Sequence, residues 1–415
     1  MKKLKKFFGQ FNALQWSAIF FSISFGFGMA VNSIGFFLFC LTGFSYSIID
    51  FRNNELLVKS EILLYVTIGY FGLIVVREVF ANISTTLDII YYNLPFLFIP
   101  IIFLFQSIRL TKCKEAVFIA FLAGMVLNAI VNLSFGIYRG ILVWENGISF
   151  WYFTYNFLSE PFGIQPIYLG YFYVIALLIL FHFKGYIKIS LLFYFIITLL
   201  TLSIFLLAAR NAILSMIILM PFYLFISKTI SIKKAFIFLG IVIICFIGAL
   251  QNPVVKNRIM KVSNKGNFYS GSSLRSNIWQ SALSVSNKNF VWGLGEDKAG
   301  LLLHKEFEKR GLEVPLKYKY HSHNQFLHTL IQYGAMGVVF LITLFIIAIW
   351  TAWKNENYLG LTFTLLFLLT IMTEAVFTRQ WGQLSYVYFT CWLVFSLKND
   401  KGLNTYHIFR LQQKV

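Results

Sequence analysis

Charge is what this sequence has least of. Only 12% of its 415 residues are Asp, Glu, Lys or Arg, whereas 58% are hydrophobic and 48 are Phe. A globular domain in water needs far more polar surface to cover its core. A soluble fold is therefore excluded, and most of the chain has lipid as its solvent. Cysteine is scarce too. Cys40, Cys245 and Cys391 fall in apolar stretches and Cys113 in a short basic connection. None is left in the one long polar segment for a disulfide framework or a thiolate metal site. The first apolar stretch lacks a small-residue cleavage site and reads as a span, not a removable leader. No internal repeat is visible, which weakens the case for a transporter built from inverted halves.

What is present is a series of long apolar runs. A crossing helix needs roughly 20 mostly apolar residues to traverse a hydrocarbon core of about 30 Å. Dividing the chain at its charged and Pro/Gly-rich breaks gives about twelve such segments: 11–30, 31–49, 62–80, 87–106, 115–135, 163–182, 187–207, 211–227, 235–250, 326–350, 358–376 and 382–397. The predicted fold class is an all-α polytopic membrane protein. The run from Ile187 to Ser227 would form a helix of roughly 60 Å, twice the bilayer core, so it must reverse. Arg210-Asn211 is its only strongly polar interruption. A turn there places Arg210 at the membrane face.

Orientation follows from Lys and Arg on alternate connections. With a cytoplasmic amino terminus, 19 basic residues fall on the inner side and only Arg77, Arg139, Arg210 and Arg379 on the short outer connections. Both termini are expected inside. The layout is then 1–250 with nine spans, 251–325 as one large outer loop, 326–397 with three spans, and 398–415 as a cytoplasmic tail. The outer loop holds the remaining 12 of the 35 basic residues against Glu296, Asp297, Glu306, Glu308 and Glu313. Such a surplus expects an anionic partner, such as a lipid headgroup, a diphosphate carrier or an acidic glycan. Nucleic acid is not expected on that side.

Local structure in the loop is partly legible. Ser272 and Ser273 are placed to cap a helix in which Leu274, Ile278, Trp279, Ala282 and Leu283 recur at helical spacing. A turn region runs from Asn287 to Gly295, and a second short helix is predicted over Ala299 to Arg310. The Gly293-Leu294-Gly295 pattern alone is weak evidence of phosphate binding, because no strand precedes it. The loop ends in His321-Ser322-His323-Asn324, just before an apolar span. Two imidazoles and an amide within four residues point to proton transfer. Against this stand a plain polar loop, and a metal site that would need a third ligand from His304, Glu306 or Glu308. Arg210 has the alternative of a snorkelling anchor, and Arg258 and Arg275 that of solvated loop charges. Guanidinium groups bind phosphate oxygens bidentately and stay charged. Arginines beside a neutral imidazole suit a reaction in which a diphosphate leaves.

These residues resemble the bacterial O-antigen ligases and the related polymerases of lipid-linked glycans. The likeness covers the layout of nearly the whole chain. Locally it rests on Ala208-Ala209-Arg210-Asn211-Ala212-Ile213-Leu214, on Asn257-Arg258, on Leu274-Arg275-Ser276-Asn277-Ile278-Trp279, on the stretch Asn289 to Gly295, and on His321-Ser322-His323-Asn324 followed by Tyr333-Gly334 and Gly337. The resemblance implies an inverting glycosyl transfer on the periplasmic face of the bacterial inner membrane, without metal, nucleotide or other cofactor. The implied donor is a glycan on undecaprenyl diphosphate and the acceptor a sugar hydroxyl of the lipid A core. It further implies His323 as base, His321 and Asn324 as its orienting neighbours, and Arg210, Arg275 and Arg258 as diphosphate ligands. A repeat-unit polymerase of the same family is the alternative. A glycolipid flippase or exporter is a third, for which charges along an inner path are expected; Glu374 is the clearest inner candidate, and it lies near the outer end of its span.

Overall fold

The structure is a computed structural model that describes residues 10–53, 57–58, 61–81, 83–142, 147–186, 189–229, 231–260, 271–395 and 409–410. These residues are overwhelmingly helical, and each of the twelve apolar segments contains a helix. One pairing departs from the all-α expectation: the two-residue strands Leu57–Val58 and Phe409–Arg410 are antiparallel neighbours. By length and composition, six helices among the described residues are fit to cross a membrane. The number is seven if Leu87–Asn93 and Pro95–Thr111, bent by 44° at Leu94, count as one. The bend has a local cause, since the residue before Pro95 is driven out of the helical region. Ala13–Ser24, Pro166–His182, Ser190–Leu206 and Tyr358–Ile371 are apolar but shorter.

Large apolar side chains lie on the outside. Phe80 and Phe225 are each 82% exposed, and Leu191 is 79% exposed. Such surface is tolerated only against lipid or another protein. This is a membrane protein.

The chain divides into two compact units. The first comprises Met1–Lys59, Phe105–Met260 and Phe395–Val415. At its heart Pro166–His182 is buried along almost its whole length and packs against Lys114–Ile137, Ser190–Leu206 and Arg210–Ser227. Several of the polar groups inside are paired, which lowers the cost of holding them in an apolar medium. The Tyr173 hydroxyl donates to Asn128 Oδ1 at 2.6 Å, and Asn128 Nδ2 donates to the Gly26 carbonyl at 2.7 Å. The reversal expected near Arg210 is present. Ser190–Leu206 ends, Ala208 takes a left-handed conformation with φ of 47°, and Arg210 opens the next helix.

The second unit comprises Ser60–Leu104 and Lys261–Val394. Its loop helices are close to those expected. Gly271–Ser286 begins one residue before Ser272, and the side chains of Ser272 and Ser273 lie outside the described residues. Ile278 and Ala282 are buried against Leu294, Ala299, Leu303, Phe307 and Ile331, with Leu274 and Trp279 packed beside them. Leu283 does not join them and is 48% exposed. The second helix runs Glu296–Lys309, three residues earlier than its apolar pattern suggested, because Gly295 has a positive φ that ends the turn.

The longest helix, Gln325–Lys354, is broken at Gly334, where φ is 66° and ψ is −167°. That conformation is open almost only to glycine. A break inside an apolar helix strands backbone donors and acceptors at several kcal/mol each. Here the turn 290–295 satisfies them. Leu294 and Gly295 donate to the carbonyls of Ile331 and Gln332, while Ala335 and Met336 donate to those of Phe290 and Val291. The two backbones approach so closely that a Cβ on Gly334 would fall on the Val291 carbonyl oxygen, and one on Gly293 on that of Gln332. The Gly-x-Gly pattern is thus explained by a helix break and not by a phosphate. Arg77 Nη2 fastens the turn at the Gly293 carbonyl, 2.9 Å away, and the Glu296 amide donates to the buried Glu78 carboxylate at 2.9 Å. Burial, then the charges of Glu78 and Asp297, raise the Glu296 carboxyl to about 7.

Gly334→Ala is expected to destabilise the protein by more than about 2 kcal/mol, whereas Gly72→Ala, with open space around it, shifts stability by less than about 1 kcal/mol. Thermal unfolding in detergent reads both. A second expectation concerns pH. Glu296 holds its proton more tightly in the folded chain than in the unfolded one, so its contribution is full in acid and is lost as pH rises through about 7. The melting temperature should fall between about pH 4.5 and about pH 7, and Glu296→Gln should flatten that part of the dependence.

Candidate functional site

The segment entering Gln325–Lys354 carries the histidines. His323 has a left-handed backbone, φ of 49°, a conformation uncommon outside glycine, asparagine and histidine. It bends the chain so that the amide of His323 donates to Nδ1 of His321 at 3.1 Å. The two rings then lie 4.4 Å apart between centroids. Both turn toward Glu374, on the short segment after Tyr358–Ile371. His321 Nε2 is 3.0 Å from Glu374 Oε1, and His323 Nδ1 is 3.1 Å from Oε2. Tyr320 meets the His323 ring edge-on at 5.1 Å.

Glu374 is only 6% exposed. Burial disfavours its charged form, and the two imidazole nitrogens that face it are the groups placed to compensate. Its segment is pinned on both sides. Asn324 Nδ2 donates to the Met372 carbonyl at 3.0 Å, and the Phe377 amide donates to Gln325 Oε1 at 2.7 Å. Gln383 and Tyr92 bind the carbonyls of Phe377 and Thr378. The other end of the Asn324 side chain caps the helix, its Oδ1 accepting from the Leu327 amide at 3.1 Å.

His321, His323 and Glu374 are also the one group among the described residues with a donor set and spacing suited to a metal ion, their ligand atoms lying within 4.8 Å of one another. The third member is Glu374 and not His304, Glu306 or Glu308. Each ring nitrogen faces a different carboxylate oxygen, which is the arrangement of two shared protons.

Of the predicted arginines, Arg275 lies in the unit that holds the histidines, exposed in the first turn of Gly271–Ser286. Arg210 and Arg258 come together in the other unit. Arg210 donates through Nε and Nη2 to the Arg258 carbonyl, at 3.1 and 2.7 Å. That carbonyl is near the end of Pro253–Met260, where helix acceptors lack internal partners. The Arg258 guanidinium lies 3.3 Å over the ring of Tyr155, a cation–π contact. Tyr155 itself has a φ of 51°. Asn252 ties the two segments, donating to the Phe150 carbonyl and Thr154 Oγ1, both at 3.0 Å. Arg139 lies 5.1 Å over Tyr152 in the same unit, and Trp151 is exposed.

Sequence reasoning missed Glu374 and Tyr155 as site residues. A lone acid in an apolar stretch was the one signal for the first, and no signal marked the second. Fold and site together define a helical membrane protein with an imidazole–carboxylate cluster at the start of a broken apolar helix. Residues 193–342 are similar to the family model described as O-antigen ligase (Wzy_C). The match includes Arg210, Arg258, Arg275, His321, His323 and Asn324; Glu374 lies beyond its end. Members of that family are glycosyltransferase-like enzymes. No curated protein matches the chain.

Proposed function

We propose that the protein is an O-antigen ligase, transferring a glycan from undecaprenyl diphosphate to a sugar hydroxyl of the lipid A core at the periplasmic face. The observation that supports this reading is the convergence of His321 and His323 on Glu374 immediately before an apolar helix. Chemistry of this kind needs a base near headgroup depth, because both substrates are anchored in lipid. Confinement in the bilayer then supplies part of the positioning that an enzyme in water achieves by binding.

In the proposed reaction His323 takes the proton of the acceptor hydroxyl as its oxygen attacks the anomeric carbon. The bond from that carbon to the diphosphate oxygen breaks, its electron pair leaves with undecaprenyl diphosphate, and the configuration inverts. His321 and Asn324 orient the base. Arg210, Arg275 and Arg258 hold the diphosphate and stabilise the charge that develops on it. No metal and no nucleotide takes part. The chain is a twelve-span protein of the bacterial cytoplasmic membrane with both termini inside and 251–325 as its large outer loop.

The test is transfer by the purified protein in nanodiscs, given undecaprenyl-diphosphate glycan with and without lipid A core, in EDTA. Core-dependent product is expected, reduced about 1,000-fold by His323→Ala and about 100-fold by Arg210→Ala or Arg275→Ala. A glycan ladder built on the carrier without core would make it a polymerase of the same family. Activity abolished by EDTA would assign His321, His323 and Glu374 to a metal instead. Absence of any transfer would overturn the enzyme reading.

A further inference from the structure

The two histidines are not equivalent in their hydrogen bonds. Both ring nitrogens of His321 are engaged: Nδ1 accepts from the His323 amide and Nε2 faces Glu374 Oε1. A nitrogen that accepts an amide proton carries none of its own. The proton of neutral His321 is therefore on Nε2, where it is donated to the carboxylate. His323 is the reverse. Its Nδ1 faces the same carboxylate, 3.1 Å from Oε2 and 3.3 Å from Oε1, and Nε2 has no partner among the described residues. An ionised carboxylate only accepts, so both protons must point at Glu374. The lone pair of His323 is left on Nε2.

We propose that Glu374 is a positioning residue that fixes opposite tautomers on the two histidines, making Nε2 of His323 the proton acceptor and His321 a spacer that cannot accept. This rests on the transferase reading for its chemistry, and for the tautomers on the hydrogen-bond geometry with Glu374 ionised. It also gives Asn324 and Gln325 a defined task. Their side chains hold Met372 and Phe377 on either side of Glu374, so the residues that follow the base fix the acid that orients it. Ring orientation by a carboxylate, with the catalytic nitrogen left bare, is what a histidine base requires.

Glutamine at 374 is the informative substitution. An amide offers one acceptor oxygen and one NH2 donor, so it satisfies only one of the two histidines in its present tautomer. The other must turn or take the opposite form. In Glu374→Gln, kcat is expected to fall about 100-fold or more, with the donor KM within about threefold because no arginine is touched. His321→Gln keeps a donor toward Glu374 and an acceptor for the His323 amide, and is expected to cost about tenfold in kcat, against about 1,000-fold for His323→Gln.

A second readout does not depend on transfer. In full-length protein labelled with 15N-histidine in nanodiscs, ring nitrogen shifts, assigned with the two glutamine variants, should show His323 protonated on Nδ1 and His321 on Nε2. In Glu374→Gln the His323 signal should become a mixture. Wild-type His323 protonated on Nε2 would overturn the proposal, as would equal losses in His321→Gln and His323→Gln. If the wild type transfers nothing to any acceptor, the functional reading fails while the nitrogen shifts still decide the tautomers.

Discussion

Every backbone donor and acceptor in an apolar medium must find a partner within the protein, and one interrupted helix shows how this chain meets that demand. The break at Gly334 frees two carbonyls and two amides, and the turn 290–295 returns four hydrogen bonds to them. Neither piece stands without the other. The interruption divides Gln325–Lys354 into a nine-residue lead and a stretch of 20 residues from Ala335. At 1.5 Å per residue the latter is about 30 Å long, the thickness of a bilayer core. The lead is then surplus to crossing, and the histidines stand immediately before it.

The two polar clusters handle charge in opposite ways. Arg258 is exposed and lies over an aromatic face, a contact that does not neutralise its charge. Glu374 is buried and faced by two imidazoles. An anion as buried as Glu374 is costly unless it is paired. The left-handed backbones at Tyr155 and His323 fall at these same two places, as strain often does at working sites.

What could be read from the sequence was local. The apolar helices, the reversal before Arg210 and the loop helix reaching Ser286 each rest on residues close along the chain, so pattern and spacing sufficed. Leu283 shows the limit even there, since helical spacing gives a stripe but not the width of the surface that covers it. The bend before Pro95 and the role of Gly334 depend on backbone conformations that a count of apolar residues does not contain. Glu374 was visible only as an oddity. Its nearer partner, His323, lies 51 residues away, and no periodicity links positions so far apart.

The same separation has a temporal meaning. Ribosomes deliver the histidines well before the carboxylate, and the segment bearing Glu374 is fastened through Gln383 on Gln380–Phe395, the last apolar helix described. Until that segment has been made, the imidazoles lack the carboxylate that both of them face. The cluster of two imidazoles and a carboxylate is complete only once the chain has been made past residue 374.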